Sequence, residues 1–183
     1  LKTILVCITG AVAAVVMPSY VLQIRKELNA RVFIMVSDNA TKFVTPYALK
    51  IHSGNEVFTN TYDVSDDTLV PHIKLTQEAD LIMIMPATAN IIAKAANGIC
   101  DDLISTTIVA AKAPVIFVPS MNENMWYANT VQRNLKVLQN DGHYIMEPRR
   151  GIEIEGMKET FGVMPLLKDV ISVINHVLSM SNP

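Results

Sequence analysis

The chain has 183 residues, of which 50% are hydrophobic and 17% charged. That is enough for one domain with a substantial core, and it excludes a disordered chain. The formal net charge of −2 gives no basic footprint for nucleic acid, and no apolar run approaches the roughly 18 residues of a membrane span.

In chain order, "KTILVCIT" is an apolar, β-branched run that ends at Gly10, and "AVAAVVMPSYVLQIRKELN" follows with helical spacing. "RVFIMVS" reads as a second buried strand. "NATKFVTPYALKIHSG" reads as a helix or helical loop with Asn39 as a first-turn cap. "EVFTNTY" is a candidate short strand, "TLVPHIKLTQEA" loop and helix, and "DLIMIMPA" a fully apolar strand. "TANIIAKAANGICDDLISTTIVAAK" is helical with a break at Gly98. "PVIFVPS" is a strand, "NENMWYANTVQRNLKVLQNDG" a helix that stops at Gly142, and "HYIMEP" a last short strand. A polar, glycine-containing stretch, 149–162, precedes the final helix "PLLKDVISVINHVLSM".

The strand runs are continuously apolar, as expected where helices cover both faces of a sheet. Strands alternating with helices imply right-handed crossovers and a parallel sheet. The predicted fold is a three-layer α/β/α sandwich, a Rossmann-like doubly wound parallel sheet. A single domain over residues 1–183 is expected.

Ligands in such sheets bind at the carboxyl ends of the strands, so the residues just after each strand carry the functional reading. Gly10, Ala11 and Val12 form a tight turn into a helix start, which suits a phosphate. One glycine is present where a dinucleotide turn carries three, so a mononucleotide fits better. Ser37, Asn39 and Thr41 are either a capping cluster or ligand donors, and Phe43 packs in the core or on a planar ring. Thr88, Ala89 and Asn90 follow Pro86; Thr88 is a cap or a ligand contact. In "PSMNENMW", Ser120, Met121 and Asn122 leave a strand directly, and Trp126 is core or an anchor. His72, in "VPHIKL", is a structural histidine or a general base.

Neither cysteine, Cys7 nor Cys100, sits in a metal-ligand spacing, and no metal is expected. Both are read as reduced thiols, which with the absence of a signal peptide points to the cytoplasm. The chain opens on Leu1 instead of methionine, as a trimmed or processed chain would.

Taken together, "PATAN" and "PSMNENMW" resemble the paired PASANT and PxMNxxMW motifs of the homo-oligomeric flavin-containing cysteine decarboxylases. The glycine turn, "FVTP" after the second strand and a histidine before "AD" fall in the same order. The resemblance covers roughly residues 3 to 148. It implies bound FMN, with FAD also able to fit, held by Gly10, Ala11, Val12, Ser37, Asn39, Phe43, Thr88, Ala89, Asn90 and Ser120. It implies that His72 is the acid–base residue and that Asn122 holds the substrate carboxylate. Met121 would lie near the substrate, and residues 149–162 would be a substrate lid in which Ile154 and Gly156 touch it. The charges of the lid, Arg149, Arg150, Glu153 and Glu155, either read a peptide or are simply solvated. A homo-oligomer, trimer or dodecamer, in which neighbouring chains complete each flavin site, is also implied.

Two branches of that family are relevant. One oxidatively decarboxylates the C-terminal cysteine of a ribosomal precursor peptide, giving an aminoenethiol for lantibiotic-type rings. The other decarboxylates phosphopantothenoylcysteine on the way to coenzyme A and typically carries a late cysteine. Because no cysteine follows Cys100, the expected activity is peptidyl-cysteine decarboxylation, with a precursor peptide ending in cysteine as the partner. The alternatives are the coenzyme A reaction and a non-catalytic flavin-binding regulatory subunit.

Overall fold

The computed structural model describes residues 1–63, 70–154 and 156–180. The elements run β1 (Thr3–Ile8), α1 (Met17–Glu27), β2 (Arg31–Val36), α2 (Pro46–Ser53), β3 (Val57–Phe58), α3 (Pro71–Glu78), β4 (Leu81–Ala87), α4 (Ala89–Ala96), α5 (Leu103–Val109) and β5 (Val115–Pro119). Then follow α6 (Glu123–Trp126), α7 (Asn129–Asn140), β6 (Tyr144–Ile145), β7 (Arg149–Ile152), β8 (Glu159–Val163) and α8 (Leu167–Met180). A 3₁₀ turn, Val12–Val16, leads into α1.

The main sheet has the order β3-β2-β1-β4-β5-β6, and every neighbouring pair is parallel. Alternate residues of each strand feed two separate cores. Ile4, Val6 and Ile8 of β1 pack with Met17, Val21, Leu49 and Ile174, from α1, α2 and α8. Leu5 and Cys7 pack on the other face with Leu75, Ile91, Ile104 and Leu135, from α3, α4, α5 and α7. The expected three-layer sandwich is therefore what forms. Covering both faces is why the strands carry apolar residues at every position rather than every second one. Cys7 is fully buried; burial, reinforced by the Asp102 carboxylate, pushes its thiol far above the usual range and leaves it inert.

Three elements differ from the sequence reading. The helix expected from Asn39 starts at Thr45 instead, whose hydroxyl accepts the Ala48 N–H at 3.1 Å. Pro46 follows at the first helical position, where its missing N–H costs nothing. Asn39 heads only a three-residue 3₁₀ turn and makes no side-chain capping bond. The helix expected over 122–142 is two helices, because Ala128 is extended (φ −62°, ψ 131°). Gln132 Nε2 donates to the freed Trp126 carbonyl at 2.6 Å. The stretch 149–162, read as irregular, contains the antiparallel hairpin β7–β8. By contrast, the break at Gly98 is present: its φ is +65°, and α5 starts afresh with Asp102 and Ser105 capping each other.

Candidate active site at the carboxyl rim of the sheet

The chain runs outward from β1 to β2 and β3, then returns to place β4 on the other side of β1. The strand order thus reverses between β1 and β4, the point at whose carboxyl ends sheets of this kind bind ligands. Thr9 ties the two strand ends together. Its hydroxyl donates to the Pro86 carbonyl at 2.7 Å and accepts the Thr88 N–H at 3.0 Å. Its own N–H reaches the same Pro86 carbonyl at 3.3 Å. Thr9 is 4% exposed, so without its hydroxyl the Thr88 N–H would be left unsatisfied and the Pro86 carbonyl would keep only the Thr9 N–H. The sequence reading passed over Thr9, although a hydroxyl ending an apolar strand next to a glycine turn is a visible signal. The peptide bond between Met85 and Pro86 is cis.

The neighbouring strand ends join these two in register. Ser37 N–H donates to Ile8 at 3.0 Å, linking β2 to β1, and Ser120 N–H donates to Ala87 at 3.1 Å, linking β5 to β4. Gly10 presses against the β2 loop: a Cβ there would lie 2.5 Å from the Asn39 Cβ. The four loops that carry Gly10–Val12, Ser37–Asn39, Thr88–Asn90 and Ser120–Asn122 therefore share one rim, as their strand positions require.

The donors on this rim suit an anion and a flat ring. Among the described residues the N–H groups of Gly10, Asp38 and Asn39 have no hydrogen-bond partner. Phe43 and Asn90 are exposed at the rim. Ser37 Oγ accepts the Ala40 N–H at 3.4 Å, and Thr88 Oγ1 accepts the Ile91 N–H at 3.3 Å. The capping role of Thr88 is thus real; its hydroxyl also meets the Thr9 hydroxyl at 3.4 Å, which leaves its own proton for another partner. A phosphate-bearing planar cofactor fits this donor set.

The hairpin β7–β8 lies against the β5 end. Met121 N–H donates to the Gly162 carbonyl at 3.1 Å, and Gly162 adopts a φ of +118°. Asn122 Nδ2 donates to Glu153 Oε1 at 2.8 Å, while Asn122 Oδ1 caps α6 through the Asn124 N–H at 2.9 Å. Thr160 Oγ1 donates to Glu123 Oε2 at 3.1 Å. Phe161 meets Trp126 and stacks on Tyr127 at ring distances of 6.1 and 6.0 Å. Trp126 is buried, and Met125 is exposed. Ile154 and Gly156 are exposed near the hairpin turn. Glu155 lies outside the described residues.

His72 is the second residue of α3. Its Nδ1 is buried and has no hydrogen-bond partner. No hydrogen bond among the described residues joins His72 to the strand-end loops or to Asn122. No helix is long and apolar enough to cross a membrane, and no cluster of candidate metal ligands occurs, both among the described residues.

The flavoprotein family pattern matches residues 1–179. The chain belongs to the flavoprotein family. FMN-dependent cysteine decarboxylases are among the solved structures it resembles. It is 38% identical over 153 residues, 82% of the chain, to the coenzyme A biosynthesis bifunctional protein CoaBC of Bacillus subtilis. Those residues span 37% of that relative, so the chain accounts for well under half the length of the curated proteins it matches. Among solved structures, the FMN-dependent cysteine decarboxylase SpaF superposes with a TM-score of 0.83 at 29% identity, covering 100% of this chain and 98% of that one. The peptidyl-cysteine decarboxylase EpiD superposes with a TM-score of 0.81 at 26% identity, covering 95% and 98%.

Proposed function

We propose that this flavoprotein decarboxylates phosphopantothenoylcysteine, a step toward coenzyme A. The observation that carries the substrate is the sequence likeness to CoaBC, a protein of coenzyme A biosynthesis, at 38% identity over 82% of the chain. The expectation of a peptide substrate thus becomes the second reading. One specific observation keeps it in play: residues 101–183 contain no cysteine. Without a late thiol to assist its reduction, an enethiol would be released as product.

Either substrate poses the same problem. A cysteine carboxylate loses carbon dioxide poorly because the carbanion left behind has no electron sink. When bound, FMN would supply the two-electron oxidant for the substrate carbon that bears sulfur, and the thiocarbonyl so formed in the substrate would be the sink. Everything else falls to the chain's own residues. Gly10, Ala11, Val12, Ser37, Asn39, Thr88, Ala89, Asn90 and Ser120 hold the cofactor, with Phe43 beside its ring. Asn122 holds the substrate carboxylate through its amide N–H. An amide steadies that group less than an arginine would, so departure of carbon dioxide is not opposed. His72, partly buried as the second residue of α3, takes the thiol proton. Met121 flanks the substrate. The hairpin acts as the lid over residues 149–162, with Ile154 and Gly156 on its substrate side, and closure excludes water. Positioning of this kind is worth on the order of 7–11 kcal/mol at best.

His72 and Asn122 work together across a boundary between chains, in a trimer or a dodecamer built from it. Two observations support this: no hydrogen bond among the described residues joins the two, and Val12, Val15 and Val16 are exposed beside the cofactor turn.

The experiment is to give the flavin-loaded protein phosphopantothenoylcysteine and, separately, a peptide ending in cysteine. Loss of carbon dioxide from the first, with or without two further hydrogens, supports the reading. Turnover of the peptide alone transfers the assignment to the second reading, and turnover of neither defeats both. His72→Asn and Asn122→Ala should each retain flavin and lose turnover.

A further inference from the structure

The hairpin carries a carboxylate of its own onto the amide that reads carboxylates. Glu153 Oε1 accepts from Asn122 Nδ2 at 2.8 Å. Its backbone N–H is tied across the hairpin turn to the Lys158 carbonyl at 2.9 Å, which fixes the side chain's starting point. The hairpin is anchored nearby through Gly162 on Met121 and Thr160 on Glu123. We propose that Glu153 is a specificity-determining residue that stands in for the substrate carboxylate in the free protein. This rests on the reading of Asn122 as the carboxylate holder.

The amide Oδ1 of Asn122 is committed to capping α6, so Nδ2 is the end left for a carboxylate. One Nδ2 proton is already given to Glu153, and a second carboxylate arriving alongside meets a like charge at close range. Substrate therefore displaces Glu153 rather than joining it. Apparent affinity is reduced by the fraction of protein in which the amide is free. Only a ligand whose remaining contacts compensate for the lost Glu153 bond enters productively. Small carboxylates that lack those contacts are shut out, which gives a one-group filter for length and chemistry of substrate. When Glu153 leaves, the hairpin loses its bond to Asn122 and keeps the Gly162 and Thr160 attachments, so the lid loosens at its outer end first.

The test compares the flavin-loaded protein with Glu153→Ala and Glu153→Gln. With the substrate that the native protein turns over, KM should fall about three- to tenfold in Glu153→Ala, since one modest hydrogen bond no longer competes. Glu153→Gln keeps an acceptor without the charge, and its KM should fall between the two. Acetate and propionate should inhibit both variants more strongly than the native protein. In parallel, amide hydrogen exchange on the free proteins should show faster exchange across 149–153 in Glu153→Ala and in Asn122→Ala, with unchanged protection in β1 and β4. Unchanged KM and unchanged inhibition by acetate overturn the proposal, as does unchanged exchange in both alanine variants. If the native protein turns over neither substrate, the functional reading fails on its own. The exchange arm then still reports whether Glu153 and Asn122 hold the hairpin.

Discussion

The β1–β4 rim around Thr9 and the hairpin β7–β8 beside the β5 end are built by opposite means. The rim is made of backbone and buried side chains: Thr9 bonds Pro86 and Thr88, and Ile8 and Ala87 receive the N–H groups of the neighbouring strand ends. The hairpin stands on a handful of bonds to residues 121–123 and two ring contacts, and Ile152, Ile154 and Met157 along it are exposed. A cofactor that must stay bound calls for the first kind of construction. The second kind suits a segment that opens and closes, because regions with few buried contacts open at low free-energy cost.

The contrast is sharpest at the two glycines. In Gly10→Ala the new Cβ would collide with the Asn39 Cβ, and both lie on short loops between fixed strands. Stability should fall by about 3 kcal/mol and flavin should be lost, read by urea unfolding and by released-cofactor absorbance. A stable, yellow variant would mean that the rim is softer than described. Next in size, Thr9→Val leaves the Thr88 N–H and one bond to Pro86 unmet, and should cost about 2 kcal/mol with weaker flavin retention.

On the hairpin, Gly162→Ala places a Cβ against the Met121 carbonyl, at a φ of +118° that side chains rarely adopt. Here the expected outcome is a large loss of kcat/KM with an almost unchanged unfolding midpoint, since the hairpin can detach without the sheet. A drop in midpoint matching that of Gly10→Ala would erase the distinction between the two regions.

The smallest expected effect lies away from both, at His143. Its ring sits edge-on to Phe117 at 5.6 Å. Burial pushes its imidazole below the usual range, and the Asp141 carboxylate only partly opposes this. The unfolded chain therefore takes up that proton more readily. Stability should decline as pH falls from the ordinary imidazole value of about 6.5 through the lower folded one, then level off. His143→Gln should flatten that slope in urea midpoints measured across the window.

Local chemistry accounts for what could be read in advance. Six parallel strands, the Gly98 break and the strand-end residues were legible, because apolar runs and turn residues act over a few positions. The helix start at Thr45 was missed because Asn39 and Thr45 are both good caps, and Pro46 beside Thr45 decided between them. The hairpin was missed because "RRGIEIEGMKETFGV" has charges interleaved with its apolar residues, and its strands pair only with each other.

By itself, the sequence determined a covered parallel sheet, a set of polar residues at its strand ends and, through two motifs, a flavin-dependent decarboxylase family. Those follow from residue type and spacing along one segment at a time. Only the tertiary structure decided that Thr9 ties β1 to β4, that Gly10 packs on Asn39 and that Glu153 lies on Asn122. Each of these joins residues about 30 to 80 positions apart, and no local pattern encodes which distant partner a hydroxyl, a glycine or a carboxylate will meet once the chain has closed.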